Sequence, residues 1–255
     1  MLERVTAGGG LVFFRSRSLH ALGVPHGFST RIGPGGRSDF TLAGGHPENT
    51  AAFATALGCG TRTVATVYQV HGACVWQGSA MPAEAPAVQA EDGRIQADAI
   101  TSADPAQLLL VRTADCVPVL LASADGSRVA AIHAGWRGLV AGVIPNAAAA
   151  LGQGVFTAAI GPCMGLGAFE VDEDVARAFD AAGLAAAVNR AAWPKPHVDL
   201  ALAAQIQLRA AGANAVDAAD LCTYRDEHWF FSHRRDRTHR GLPKTGHIAG
   251  AIGCK

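Results

Sequence analysis

No run of apolar residues in this 255-residue chain approaches the roughly 20 needed to cross a bilayer; residues 117–122, among the longest, stop far short. An excess of one charge is missing too. Basic and acidic residues number 21 each, a formal net charge of zero, which argues against a large non-specific nucleic-acid face. The Arg/His-rich stretch 233–240 is the one cationic segment and leaves room for a local basic pocket. The six cysteines contain no C-x-x-C pair, and residues 1–10 lack a basic region followed by a long apolar one. These absences lead us to expect a cytoplasmic protein with reduced thiols rather than a disulfide framework. Cys59, Cys74 and Cys254 read as small buried hydrophobes. Neither an internal repeat nor an interdomain linker is found, so residues 1–255 are expected to form a single domain.

What is present is a globular composition, 49% hydrophobic and 16% charged, with ample capacity for a core. Residues 47–57 read as a helix stopped by Gly58, and 172–182 and 199–211 as two more, the last with Asp199 as N-cap and Gly212 as terminator. An alanine-rich helix is expected over 138–151. Residues 64–70 and 73–76 are β-rich runs separated by His71-Gly72, which suggests a hairpin with His71 at its tip. Short strands over 108–112 and 119–122 flank Cys116, Asp125-Gly126 turns the chain into a strand over 128–133, and another follows at 155–160. Residues 229–232 and 248–252 read as closing strands, and 79–93 as an exposed excursion. Strands in both hairpin and crossover contexts predict an α+β fold, mixed β-sheets flanked by helices.

Three short segments concentrate the chemistry: Gln69-Val70-His71-Gly72, Thr113-Ala114-Asp115-Cys116-Val117-Pro118 and Ile132-His133-Ala134-Gly135-Trp136-Arg137-Gly138. Each sets an imidazole or thiol beside glycine or proline at the end of an apolar run. Singly, such a histidine or cysteine is an ordinary core or surface residue. Together, His71, Cys116 and His133 could occupy three corners of a metal site and leave the fourth open, as in a catalytic rather than a structural zinc. Their wide separations match no zinc-finger spacing, so the site would be assembled from distant strands. Two imidazoles and a thiolate suit zinc or copper. A bound metal would hold Cys116 deprotonated and bring the pKa of bound water towards neutrality. Asp115, pointing away from Cys116 if the local chain is extended, is a candidate outer acceptor or general base.

These segments, together with Ala97-Asp98-Ala99-Ile100-Thr101, Ile160-Gly161-Pro162-Cys163, Phe169-Glu170-Val171, Cys222-Thr223 and Phe230-Phe231-Ser232-His233-Arg234-Arg235-Asp236, resemble the bacterial laccase-domain (polyphenol oxidase, YfiH-like) family. Gly27-Phe28-Ser29-Thr30-Arg31 also fits the family's opening, so the resemblance spans nearly the whole chain. It implies a mixed α/β domain with zinc on His71, Cys116 and His133. It further implies purine nucleoside chemistry: phosphorolysis of adenosine, inosine and methylthioadenosine, and deamination of adenosine. The partners would then be a purine nucleoside and phosphate, with no nucleic acid or membrane. Older labels call members copper laccases, and related members have been proposed to remove misincorporated serine from peptidoglycan precursors. Two departures stand out. Residues 33–39 are shorter than the family's opening segment, and Thr245-Gly246-His247 has histidine where the family carries arginine if the two segments align.

Four readings follow. In the first, a zinc enzyme acts on purine nucleosides, with Arg31, Arg137 and Arg234 as anion partners, since a guanidinium matches phosphate in a fork. The second drops the metal and makes Cys116 a nucleophile with His133 or His71 as base, an amide hydrolase. The third, a copper polyphenol oxidase, is disfavoured, because multicopper laccases use paired histidine motifs and these ten histidines include no His-x-His. The fourth is a non-enzymatic binding role.

Overall fold

The computed structural model describes residues 1–78 and 95–255; the expected excursion over 79–93 lies outside the described residues. One six-stranded sheet is built from β1 (Leu2–Thr6), β2 (Val12–Ser16), β3 (His26–Ser29), β4 (Thr63–Ala65), β7 (Gln107–Thr113) and β14 (Ile248–Gly253), in the order β1-β2-β3-β14-β7-β4. The other takes β5 (Val75–Gln77), β6 (Ala99–Ser102), β8 (Val117–Ser123), β9 (Val129–Ala134), β10 (Phe156–Ile160) and β13 (Ala213–Asp217), in the order β13-β10-β8-β9-β6-β5. A two-stranded ribbon joins β11 (Val188–Asn189) to β12 (His197–Val198). The helices are α1 (Arg17–Ala21), α2 (Pro47–Ala56), α3 (Trp136–Val140), α4 (Val143–Leu151), α5 (Glu173–Ala181) and α6 (Leu200–Ala210). The fold is thus α+β with mixed sheets, as expected. Among the described residues no helix is long and apolar enough to cross a membrane.

Strand periodicity sets the layers. In β7, Leu109 and Val111 face the second sheet, whereas Leu108 and Leu110 face outwards against Phe53 and Ala54 of α2. In β8 the pair Leu120 and Ala122 meets the first sheet, while Val119 and Leu121 pack under α4 and α6. Helix, sheet, sheet and helix therefore stack with three apolar seams. β7 and β8 are nearly continuous hydrophobic runs because both of their faces are covered.

Four expectations are corrected. Residues 64–76 form no hairpin: β4 pairs with β7 in the first sheet and β5 with β6 in the second, so the intervening segment crosses between sheets. The helix over 138–151 is two helices, because Gly142 takes φ +81° and interrupts the ladder between α3 and α4. Residues 229–232 are irregular and lead into a π-helix, Arg234–His239, in which Arg235 and Asp236 are buried against each other. Cys74 is exposed, being in the crossing segment, whereas Cys59 and Cys254 are buried as expected.

The middle seam makes room for Phe28 by omitting side chains. A methyl at Gly161 would lie 2.3 Å from the Phe28 ring and 2.8 Å from Pro118. Gly161→Ala is therefore expected to cost about 1–3 kcal/mol through overpacking. Gly167→Ala, whose added methyl meets nothing nearer than 4.0 Å, should stay within about 0.5 kcal/mol of the parent. Urea unfolding midpoints of the two variants test this, and equal midpoints would remove the packing argument.

Candidate metal centre

The three ligand candidates reach one another from different layers. His133 shares the parity of Val129 and Ala131 on β9, which puts its ring on the side facing the first sheet. Cys116 lies in the short link from β7 in one sheet to β8 in the other. His71 lies in another crossing segment, between β4 and β5, with φ +62°, a left-handed conformation that is uncommon for a residue with a side chain. One ligand atom from each lies within 4.8 Å of the other two, and the imidazoles meet edge to face with centroids 4.7 Å apart. Exposure falls across the group, from exposed His71 through half-buried Cys116 to buried His133, so one side opens to solvent.

A residue given no role by the sequence holds this arrangement. Asp98, fully buried just before β6, accepts from His133 Nδ1 at 2.8 Å. The same carboxylate accepts from the backbone N–H groups of His71 at 2.9 Å, Gly72 at 2.6 Å and Val70 at 3.3 Å. It thereby fixes the His133 tautomer that leaves Nε2 for a metal and pins the strained backbone of His71. The available signal was an acid set between Ala97 and the β-rich run Ala99-Ile100-Thr101: a buried carboxylate needs donors, and donors to it are organised by it. Gln69 adds a second tether, accepting from Arg112 N at 2.8 Å and donating to Arg112 O at 2.7 Å. Gly135 forms the wall, since a methyl there would stand 3.0 Å from His71 Cδ2 and 3.1 Å from Cys116 Sγ.

The electrostatics favour a thiolate. Burial alone would raise the Cys116 thiol, yet the charge of His133 and hydrogen bonds from His133 and His71 bring it down to about 6. Burial likewise pulls His133 down, but Cys116 and Asp98 together push it up to about 9. Burial would also raise Asp98, and hydrogen bonds from His133 and the Gly72 N–H outweigh it, leaving the carboxyl below its ordinary value.

The other expected site residues are placed unequally. Asp115 is not extended, having φ +96°; its Oδ1 accepts from Thr223 Oγ1 and its Oδ2 from Arg234 N, both at 2.7 Å. It therefore ties the C-terminal segment beside Cys116. Arg234 is half-buried, reaches Glu170 O and stacks near Phe169. Arg137, in the first turn of α3 four residues after His133, is exposed and lies over Trp136 at 4.5 Å. Arg31 is tied to the carbonyls of Ser38 and Glu227 and lies over Phe231 at 4.7 Å, with no direct bond to the triad.

Two measurements probe the centre. In metal-free protein, alkylation of Cys116 by iodoacetamide, followed by peptide mass spectrometry, should reach half its maximal rate near pH 6. The sign follows from the lowered pKa: the thiolate persists down to that pH and is lost only below it. A rate rising only above pH 8 would contradict the electrostatic reading. Asp98→Asn should weaken metal binding by about 10–100-fold, measured against a chromophoric chelator. Unchanged affinity would leave Asp98 without its positioning role.

The chain is similar to known proteins over most of its length. A family model described as multi-copper polyphenol oxidoreductase laccase matches residues 46–255. A Deinococcus radiodurans protein named purine nucleoside phosphorylase is 35% identical over 250 residues, 91% of this chain and 90% of that relative. A Xylella fastidiosa protein of the same name is 39% identical over 66% of each chain, and the Escherichia coli purine nucleoside phosphorylase YfiH is 38% identical over 62% of this chain and 63% of its own. The matched stretches thus span just under two thirds of these last two relatives. Among solved structures, a Neisseria meningitidis protein of the DUF152 family superposes with a TM-score of 0.74 at 27% identity, covering 100% and 98% of the two chains. The Bacillus licheniformis hypothetical protein YfiH shares the fold with a TM-score of 0.79 at 22% identity, over 98% and 97%. With its fold, the match over residues 46–255 and these relatives in agreement, the chain belongs to the laccase-domain, YfiH-like family.

Proposed function

We propose that this protein is a zinc-dependent purine nucleoside phosphorylase acting on adenosine, inosine and methylthioadenosine. The observation that carries the reading is the convergence of His71, Cys116 and His133, graded from solvent to core. The names of the relatives supply the substrate class. The donors fit zinc: a tetrahedral ion separates such ligands by about 3.5 Å, so atoms within 4.8 Å need only a small closure. Bound zinc would supply Lewis acidity at an open fourth corner. Among the described residues this is the one donor group found able to hold a metal, so the multi-copper part of the family description is not taken over.

The chain's own groups have distinct tasks in this reading. Arg137 follows His133 by four residues, Arg234 is brought beside Cys116 by the bond of its N–H to Asp115, and with Arg31 they hold phosphate near the ribose. A phosphate oxygen bonds to the anomeric carbon as the bond to the base nitrogen breaks, and the base leaves with that electron pair and takes up a proton. Asp115 positions the Arg234 segment rather than touching substrate. Adenosine deamination requires water at the same open side and depends on the same three ligands.

One observation favours a second reading. Cys116, His133 and Asp98 also form a nucleophile, base and orienting carboxylate in sequence, as an amide hydrolase requires. A single set of variants separates the two. His71→Ala, Cys116→Ala and His133→Ala should each lose stoichiometric zinc and reduce phosphorolysis of inosine at least about 100-fold. Chelation should abolish activity, and added zinc should restore it. Equal activity in all three variants refutes the metal reading, and an acyl adduct on Cys116 would establish the hydrolase instead.

A further inference from the structure

A groove of about 370 Å³ lies outside the metal centre, between α2 and the edge strand β4. Its polar lining consists of Arg62, Arg112, His46, Thr50 and Thr66, with glycine, alanine, valine and proline making up the rest; none of the acids of the described residues lines it. Arg112 points to this side because it shares the parity of Leu108 and Leu110 on β7. Its Nε donates to Leu42 O at 2.5 Å and its Nη1 to Thr66 Oγ1 at 2.9 Å, which leaves the Nη2 donors and one on Nη1 without a partner among the described residues. Arg62 donates from Nη1 to Cys254 O at 2.9 Å and keeps its other donors.

Among the described residues most arginines that form ion pairs do so at the surface: Arg15 with Glu3, Arg190 with Asp180, Arg225 with Asp226 and Arg240 with Glu227. Arg112 has no carboxylate among the described residues, although it is half-buried. Burial alone lowers its pKa, and no acid opposes that shift. A sequestered cation without a counter-ion is costly, and an anion from solution would offset that cost. The register sets the spacing along the groove. Thr63, next to Arg62, pairs with Gln107, and Arg112 lies five residues further on, about 16 Å at the rise of a strand. The groove is therefore elongated, with a guanidinium at each end. Helix α2 starts on its Gly44-Gly45-His46 side, where the helix dipole adds to the positive potential. His46 is the one lining residue with an acidic partner, Glu48 at 3.2 Å.

We propose that this groove is a second binding site, specific for a phosphate group, free or esterified, held in the fork of Arg112 with Arg62 at the far end. The site is independent of the arginines assigned to catalysis, and it lies one hydrogen-bonded residue from the metal loop, because Gln69 clasps the Arg112 backbone two residues before His71.

Arginine footprinting with phenylglyoxal on the zinc-loaded protein, read by peptide mass spectrometry at constant ionic strength, tests this. Inorganic phosphate at ten times its dissociation constant should slow modification of Arg112 about tenfold, with Arg62 at the other end of the groove and Arg15 as unprotected references. Ribose 5-phosphate protecting at lower concentration than phosphate would identify the ester as the ligand, and equal potency the free ion. Arg112→Gln should reduce the thermal stabilisation produced by inorganic phosphate while Arg62→Gln leaves it close to the parent's, and Arg112→Lys should restore it only in part, since it keeps the charge and loses the fork. Absence of protection overturns the proposal, as does protection confined to Arg31, Arg137 and Arg234; the latter result would leave the phosphorylase reading standing.

Discussion

One buried carboxylate organises the candidate site. Asp98 receives four donors from two parts of the chain: the ring of His133 and three successive backbone amides around His71. An ionised aspartate inside a sandwich is tolerated only when its lone pairs are filled, so the donors have little freedom to move. That requirement supplies what His71 lacks locally. A histidine at φ +62° is strained, and three amides turned towards one anion offset that strain. The geometry of two of the three donors in the candidate centre thus follows from the solvation of a third residue that would not touch the metal.

The same logic explains why the centre sits where it does. His71 and Cys116 lie in the two links that carry the chain from the first sheet into the second, β4 to β5 and β7 to β8. A link between stacked sheets must turn sharply at the rim of the sandwich, and its side chains can then face the gap between the layers. His133 reaches that gap from β9 by strand parity. Residues far apart in sequence therefore meet at the rim because the fold changes layer there twice. Gly135 completes the rim by having no side chain to occupy the space.

Much of this was legible from sequence. The helices over 47–57, 172–182 and 199–211 have strong periodic or capping signals, and Asp199 indeed caps α6 through Leu202 N at 2.9 Å. The three ligand candidates stood out because each was a soft or ionisable residue beside a backbone breaker. The hairpin at His71-Gly72 was misread because two short β runs separated by a turn look alike whether they pair with each other or with different sheets. Local pattern contains no information about the sheet to which an edge strand is added. The tail around Arg234 has no apolar periodicity to reveal its helix; it is held by buried pairing of Arg235 with its neighbour Asp236 and by Asp115, 119 residues upstream of Arg234. Asp98 was hidden for a related reason. Its role depends entirely on which amides turn towards it, and those lie 26 to 28 residues upstream.

The geometry also bears on the choice between metal centre and nucleophile. A thiolate stabilised beside an imidazolium serves either purpose, so the lowered thiol at Cys116 does not discriminate. His71 does. A hydrolytic set of Cys116, His133 and Asp98 is complete without it, and such a set has no use for a second imidazole held in a strained backbone within 4.8 Å of the sulfur. Asp98 nevertheless directs three of its four hydrogen bonds to the segment that places this residue. A second imidazole so confined would obstruct an acyl group at the sulfur on the open side. Around a cation it becomes the third corner of a site whose remaining direction faces solvent. The arrangement of donors is accounted for in full by an ion among them and only in part by a nucleophile, which is the physical ground for preferring the metal.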